Sequence, residues 1–169
     1  GKFFREEIEA AWFAHYLKDK GQLNLPEALT FDAGRNRWRR WNAWPPTANT
    51  AERKLYFGAD RILSFVAPAS EGAAAFDSYV SDPAHPVPYR HRPIQPTYFK
   101  GGSKWDTWLV EDQRFVDRRA DVLSWESEVL EADLTIAGEV MAHLFASTTG
   151  SDADWIVKLI DVYPEYNPE

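Results

Sequence analysis

The sequence predicts a mainly β chain, in which a β-sandwich follows a single α-helix. Three observations predict this fold class. One stretch near the N-terminus has its apolar residues at helical spacing, later stretches alternate apolar with polar residues, and proline and glycine separate the short runs between them. Hydrophobic residues make up 44% of the 169 residues and aromatic residues 15%. That supply of core-forming side chains indicates a folded chain.

The helix is predicted from about Phe3 to Lys18. Glu6 and Glu7 suit the positive N-terminal end of such a helix, and Gly21 provides a stop signal after it. The residues at spacings of three and four, which share one helical face, are Phe4, Ile8, Ala11, Trp12 and His15. One amphipathic helix cannot bury its own apolar face, so another element has to pack on it.

Strand-like runs follow from Leu25 onward. The early ones are short: Ala28–Phe31, Trp38–Trp44, Lys54–Phe57 and Ile62–Val66. Residues 67–102 hold more than half of the eleven prolines and are predicted to form a long surface loop, because proline cannot donate to a strand ladder. Further strands are predicted at Asp121–Ser127, Leu134–Ser147 and Asp154–Tyr163, where apolar and polar residues alternate. Strands of this kind with turn signals between them favour a sandwich.

Charge and composition argue against several classes of function. The net charge of −7 disfavours nucleic acid as a partner, and no apolar run is long enough to span a bilayer. The absence of cysteine excludes disulfides and thiolate metal sites, and no two histidines have the spacing of a helical zinc site. We therefore expect no metal, no cofactor and no membrane association.

The sequence contains no Gly-x-Ser-x-Gly nucleophile elbow. The nearest match is Pro68–Gly72, whose Ser70 is interpreted as a loop serine, because a proline replaces the first glycine. Among the histidines, His15 is predicted to be packed and hydrogen-bonded, and His143 to face solvent or a partner. His85 and His91 lie in the proline-rich loop and could face a cleft. Structural roles are favoured for all four.

Two other motifs have a structural and a functional interpretation. Arg35–Trp41 interleaves arginine with tryptophan, as single-strand nucleic-acid platforms do. The acidic charge of the chain favours a strand with inward tryptophans covered by arginine stems. Gly150–Asp154 has acidic residues but lacks the ligand spacing of a calcium loop, so a turn is predicted there.

The segment Gly101–Trp108 is the main candidate for a binding site. A Gly-Gly pair is followed by Trp105 and Trp108, three residues apart, and Lys104 lies beside them. Aromatic surface with a few placed polar groups is typical of a ligand pocket. The residues alone leave this interpretation level with the alternative that both tryptophans belong to a core.

Several stretches, in order along almost the whole chain, resemble the α/β-hydrolase family that contains X-prolyl dipeptidyl-peptidases, cocaine esterase, α-amino acid ester hydrolases and glutaryl-cephalosporin acylases. These stretches are Trp12–Lys18, Trp38–Pro45, Tyr79–Pro88, Asp112–Arg114, Arg119–Trp125 and Asp154–Pro164. The form of Trp108–Phe115 is most similar to the branch of α-amino acid ester hydrolases and acylases.

The resemblance implies an enzyme of three parts, of which this chain would be a C-terminal portion with both ends cut. Residues 1–24 would be the last helix of the α/β-hydrolase domain. Residues 25–169 would be the first part of a jelly-roll sandwich of the galactose-binding type. The catalytic serine, acid and histidine of the family lie upstream of the matching region, so the resemblance assigns no catalytic residue here.

In the family, the sandwich lends side chains to the acyl side of the active-site cleft. The resemblance thus makes Gly101, Gly102, Lys104, Trp105 and Trp108 substrate-binding candidates, with Lys104 able to reach a substrate carboxylate. The expected partners are an ester or amide substrate, the remaining segments of the enzyme and further copies in a homo-oligomer. A periplasmic or secreted location is favoured over a cytoplasmic one. The alternative from another functional class is a sandwich module that binds carbohydrate or another ligand without catalysis.

Overall fold

The computed structural model of the chain describes residues 1–69, 76–94, 96–100, 102–103, 107–108 and 110–164. The backbone divides into two compact units, Gly1–Ala51 with Thr135–Glu169, and Glu52–Leu134. Within these described ranges the architecture is rich in short β-strands and has one long helix. The prediction of a β-rich chain that begins with a helix is confirmed at this level.

The N-terminal helix begins as π-helical turns over Phe4–Glu9 and continues as α1, Ala10–Lys18. The helix ends at Lys18, as predicted, but a residue before Gly21 forms its left-handed cap. Asp19 already adopts the left-handed conformation with φ 50°, and the Lys20 N–H donates to the Ala14 carbonyl at 3.0 Å. Gly21 follows with φ 74°. A short polar aspartate can adopt a left-handed conformation, so the helix ends before the chain reaches the glycine.

The predicted apolar stripe of the helix is only partly covered. Ile8, Ala11 and His15 are half-buried, whereas Phe4 and Trp12 remain exposed. Next to the stripe, the ring of Phe3 contacts the following hairpin, where its centroid lies 5.4 Å from that of Trp38. The face therefore retains apolar surface that the described residues of its unit do not cover.

An antiparallel hairpin follows the helix. β1, Ala28–Asp32, pairs with β2, Arg37–Trp41, in a register that places Phe31 opposite Trp38. The Asp32 carboxylate accepts the N–H of Arg35 at 3.1 Å, and Asn36 completes the turn with φ 50°. The runs predicted at Ala28–Phe31 and Trp38–Trp44 are thus confirmed as strands, the second with a shorter span.

The two tryptophans of β2 do not both face inward on one side, as the sequence interpretation required. Trp38 and Trp41 are three positions apart, and a strand of period two places such positions on opposite faces. Trp38 contacts Phe31, with ring centroids 5.4 Å apart. Trp41 donates from its indole N–H to Thr30 Oγ1 at 2.9 Å and lies 4.4 Å from the guanidinium carbon of Arg39. One arginine of the hairpin, Arg39, thus covers a tryptophan, and it does so through its guanidinium.

The unit Glu52–Leu134 contains two smaller antiparallel pairs. β3, Tyr56–Phe57, pairs with β4, Leu63–Ser64, across a 3₁₀ turn at Ala59–Arg61. β5, Tyr98–Phe99, pairs with β6, Gly102–Ser103. A one-turn helix, α2, spans Arg114–Asp117. The sequence predicted a loop over the whole of residues 67–102. The structure instead places β5 and the start of β6 at the end of that region.

The strand predicted at Asp121–Ser127 forms only a bridge. Burial alternates from Leu123 to Ser127, as in a strand, but one parallel bridge joins Glu126 to Ile62. The Leu63 N–H donates to the Glu126 carbonyl at 2.8 Å, and the Glu126 N–H donates to the Arg61 carbonyl at 3.0 Å. The Trp125 indole packs on Phe57, with centroids 4.5 Å apart.

The strands predicted at Leu134–Ser147 and Asp154–Tyr163 are not formed among the described residues. Their apolar side chains are exposed, with Ile156 at 83% as an example. A strand needs a hydrogen-bonded neighbour, and alternation of residues specifies the two faces of a strand without supplying that neighbour. The turn predicted at Gly150–Asp154 is consistent with the Gly150 N–H, which donates to Thr148 Oγ1 at 3.0 Å.

The left-handed residue of the hairpin turn gives a prediction. Replacing Asn36 by valine should weaken the hairpin by about 1–2 kcal/mol, because a branched Cβ clashes in this conformation, whereas Asn36→Gly should not weaken it. Hydrogen exchange of the β1 and β2 amides measures the difference. Equal protection in the valine and glycine variants would contradict the assigned turn.

Candidate functional site

The predicted binding segment is only partly described by the structure. Gly101, Lys104 and Trp105 lie outside the described residues. Gly102 belongs to β6, where it pairs with Phe99. Trp108 follows the strand and is half-buried. The prediction can therefore be examined in three dimensions at Trp108, and it stays a prediction for the other side chains.

Trp108 lies against a buried arginine. The guanidinium carbon of Arg90 is 4.4 Å from the centroid of the indole, within the range of a cation–π contact. The ring of Tyr89 approaches the same indole, with centroids 6.4 Å apart and an interplanar angle of 52°. Arg90 is only 6% exposed, although it belongs to the proline-rich loop. An arginine of the loop thus forms one wall around Trp108.

Glu111 holds Arg90 from the other direction. Arg90 Nε donates to Glu111 Oε2 at 2.6 Å, and Arg90 Nη2 contacts Glu111 Oε1, so that the two planar groups meet as a bidentate pair. The backbone carbonyl of Glu111 accepts the Nε2–H of Gln113 at 2.8 Å. The carboxylate raises the pKa of Arg90 above its usual range, mainly through this hydrogen bonding. We call Tyr89, Arg90, Trp108 and Glu111 the Arg90 cluster.

The short helix α2 supports the same region. Val116 is 7% exposed and is the one buried hydrophobic side chain of the described residues. Phe115 contacts the ring of His91, with centroids 5.6 Å apart and an interplanar angle of 70°. His91 was predicted to lie in a loop that could face a cleft, and the structure gives its ring a packing contact.

Asp112 and Arg114 form a local ion pair before α2. The Asp112 carboxylate accepts hydrogen bonds from the backbone N–H of Arg114 at 2.9 Å and from its Nε at 2.8 Å. The side-chain hydrogen bond from Arg114 is the main reason why the pKa of Asp112 falls from 3.8 to about 2. Arg114 is highly exposed, so the pair shapes the turn without forming part of a buried site.

A second polar group surrounds His85. Its Nδ1 lies 2.8 Å from Asp82 Oδ2, and the pKa of Asp82 is lowered chiefly by this hydrogen bond. Arg119 donates to Asp121 through Nε and Nη2, at 2.8 and 2.6 Å, and to the His85 carbonyl at 3.1 Å. A depression of about 330 Å³ lies here, lined by Val80, Asp82, His85, Arg119, Ala120 and Asp121.

This second group ties the Asp82–His85 turn to the segment that begins at Arg119. His85 itself is exposed and has one carboxylate partner, without a nucleophile beside it in the described structure. The arrangement can stabilise a loop, but it does not form a catalytic constellation. The structural role predicted for His85 is therefore the one that the contacts favour.

The other histidines have the predicted surroundings. His15 is half-buried, with Nδ1 3.3 Å from the Gly21 carbonyl, and His143 is exposed. Ser70 lies outside the described residues. In the described part of the chain, no three histidine, aspartate or glutamate side chains are grouped so that they could hold a metal ion. Nor does any helix there reach the length and apolarity needed to cross a bilayer.

A further depression lies in the first unit. Its volume is about 550 Å³, and apolar side chains of the helix and of the approach to β1 form most of its lining: Ile8, Trp12, Tyr16, Leu23, Leu25, Pro26, Glu27 and Leu29. It coincides with the partly uncovered apolar face of the helix. The composition of its lining is that of an incompletely covered packing surface.

Sequence reasoning missed Arg90 and Glu111 as members of the candidate site. They are 21 residues apart, on opposite sides of the predicted binding segment. Their charges are ordinary in a chain with 27% charged residues. The one available signal was that Glu111 lies within Trp108–Phe115, a stretch noted for its family resemblance.

Comparison with known proteins gives a consistent result. Residues 21–168 match the profile of the X-Pro dipeptidyl-peptidase C-terminal non-catalytic domain. Cocaine esterase of Rhodococcus sp. (strain MB1 Bresler) is 29% identical over 166 residues, which cover 94% of this chain and 28% of the esterase.

Two solved structures resemble the chain in three dimensions. An aminopeptidase from the marine sediment archaeon Thaumarchaeota archaeon shares 44% sequence identity with a TM-score of 0.62, over 75% of this chain and 20% of that one. An α-amino acid ester hydrolase shares 40% identity with a TM-score of 0.64, over 81% of this chain and 22% of that one. The chain therefore spans between a fifth and three tenths of the length of these relatives.

The Asp112–Arg114 pair gives a testable pH dependence. With its pKa lowered to about 2, the Asp112 carboxylate stays ionised when the pH falls from 5 to 3. The pair stabilises the folded form above the ordinary aspartate pKa, and this contribution is lost as the pH falls toward 2. Carboxyl ¹³C NMR of the labelled chain reports the titration. Arg114→Ala should move the midpoint up toward 3.8.

The neighbouring, exposed Arg118 provides the matched control for this titration. Arg118→Ala should leave the midpoint of Asp112 unchanged, because no hydrogen bond joins it to that carboxylate. A midpoint that is insensitive to Arg114→Ala would show that the hydrogen bonds described for Asp112 do not form.

Proposed function

Because this chain belongs to the family of X-Pro dipeptidyl-peptidase C-terminal non-catalytic domains, we propose that it serves a serine hydrolase as a non-catalytic part that shapes the substrate pocket and stabilises the enzyme. The substrates we propose are esters or amides of the α-amino acid ester, β-lactam acyl or X-Pro dipeptidyl type. In this proposal residues 25–169 form the first part of a jelly roll, and residues 1–24 form the last helix of the catalytic domain.

The main observation that supports this proposal is the large exposed surface of the chain. The chain exposes 15752 Å². A folded monomer of its mass would expose about 8,500 Å², and the fully unfolded chain about 28,000 Å². The chain thus buries less than half of its unfolded surface, whereas a domain of this size buries about 70%. Such a surface suits a polypeptide whose apolar side chains are covered by other protein.

The exposed strand-like segments support the same proposal. Residues 134–147 and 154–163 alternate apolar and polar side chains, yet they form no ladder among the described residues. Neighbouring strands would satisfy their backbone groups and cover side chains such as Ile156. The remaining strands of a jelly roll would provide those neighbours.

In this proposal, the catalytic domain of the hydrolase would perform the chemistry. Hydrolysis through an acyl-enzyme needs a serine nucleophile, a histidine base and an oxyanion hole. We assign none of these roles to this chain, in keeping with a non-catalytic family. Its contribution would be aromatic surface for the acyl group of the substrate, with Trp108 held against Arg90.

The large exposed surface predicts how the isolated chain behaves in solution. Purified alone, the 169-residue chain should self-associate or melt without a sharp transition, and it should hydrolyse esters only at the background rate. Sedimentation at several concentrations, with thermal unfolding, measures this. A monomer with a sharp, concentration-independent melt would contradict the proposal, as would ester hydrolysis that a serine substitution within the chain abolishes.

The pocket assignment predicts a kinetic effect in the complete hydrolase. Trp108→Ala should raise KM for an aromatic amino acid ester by roughly tenfold and leave kcat almost unchanged, because the lost contact serves substrate and transition state alike. Trp44→Ala is the matched control, since Trp44 is exposed and lies outside the binding segment. Equal KM values in the two variants would remove Trp108 from the pocket. Saturable glycan binding in calorimetry would instead favour the carbohydrate-module alternative.

A further inference from the structure

Arg90 contacts Trp108 and pairs with Glu111, and the stability of this ion pair does not by itself explain why an arginine is buried here. A buried ion pair has to offset the cost of removing two charges from water, and apolar residues of similar volume are often as stabilising. Arg90 is 6% exposed, and its Nη1 is buried without an acceptor in the described structure. A charged group buried at this cost points to a role in specifying geometry.

The geometry around Arg90 identifies that role. Glu111 fixes the plane of the guanidinium through the bidentate contact. The central carbon of this guanidinium lies over the Trp108 indole, 4.4 Å from the ring centroid. Since the guanidinium cannot rotate without breaking the contact with Glu111, the indole meets a rigid surface. Lysine would keep the charge but would provide neither the planar surface nor the two-pronged contact.

The position of the pair in the chain gives this contact a wider effect. Arg90 lies in the proline-rich loop, and Glu111 and Trp108 lie after β6. One guanidinium therefore connects the loop with the segment that carries the predicted binding residues. Displacing Arg90 would change the orientation of Trp108 and leave the short pair β5–β6 intact.

We propose that Arg90 is a positioning residue, which sets the orientation of Trp108 and thereby the binding of the acyl group of the substrate, with Glu111 as its anchor. This proposal rests on the proposed function only for its kinetic consequence. The orientation of Trp108 can be measured independently of activity.

The test uses the complete hydrolase labelled with 5-fluorotryptophan. Loss of one ¹⁹F resonance in Trp108→Phe assigns the Trp108 signal. Arg90→Lys should shift or broaden that signal and raise KM for the p-nitrophenyl ester of phenylalanine by roughly three- to tenfold, the range that a cation–π contact contributes, with kcat unchanged. Glu111→Gln keeps an acceptor for Arg90 and should give a smaller change in the same direction, which keeps the test valid if Arg90→Lys fails to fold.

The matched control is Arg114→Lys. Arg114 has the same chemistry and lies three residues after Glu111, but it is exposed and pairs with Asp112. It should change neither the resonance nor KM. An unchanged Trp108 signal and unchanged KM in Arg90→Lys would overturn the proposal. So would a loss of thermal stability alone, because that is the effect of a merely structural pair.

The two proposals fail in different ways. If Trp108→Phe and Trp108→Ala leave KM unchanged while Arg90→Lys shifts the ¹⁹F signal, the pocket assignment is wrong and the orientation of Trp108 by Arg90 stands. If Trp108→Ala raises KM while Arg90→Lys leaves the signal in place, Trp108 contributes to binding and Arg90 does not orient it.

Discussion

The bidentate contact between Arg90 and Glu111 joins two parts of the chain that sequence separates widely. It brings the proline-rich loop to the segment after β6 and presents a flat cation to Trp108. Each proline of the loop lacks a backbone donor, and side-chain donors provide long-range hydrogen bonds here. Arg119 has the same function at the Asp82–His85 turn, where it donates to the His85 carbonyl. Arg90 and Arg119 thus connect this loop to later parts of the chain through hydrogen bonds.

Ring contacts provide apolar packing in each of the two units. Trp125 packs on Phe57, and Trp38 packs on Phe31, each within its own unit. Val116 alone among the described hydrophobic side chains is buried. A chain that is 44% hydrophobic has far more apolar surface than these contacts cover. Under the proposed function, the rest of the hydrolase would cover this excess of apolar surface.

Local pattern was enough to predict the first elements. Helical spacing identified the helix that ends at Lys18, and alternation identified the strands of the first hairpin. The same alternation predicted strands at residues 134–147 and 154–163, which form no ladder among the described residues. A helix satisfies its hydrogen bonds within its own segment, whereas a strand depends on a neighbour. The accuracy of the predictions follows that distinction.

The sequence by itself determined the family and the β-rich class with its leading helix, and it predicted a segment for a binding role. Those features depend on residue order, local periodicity and composition. Only the tertiary structure decided that Glu111 holds Arg90 against Trp108, and that Trp38 and Trp41 lie on opposite faces of their strand. A contact between residues 21 positions apart has no periodic signal, since it depends on how the loop folds back. The binding role of the segment Gly101–Trp108 therefore stays a prediction, and the arginine that contacts Trp108 could not be predicted from the sequence.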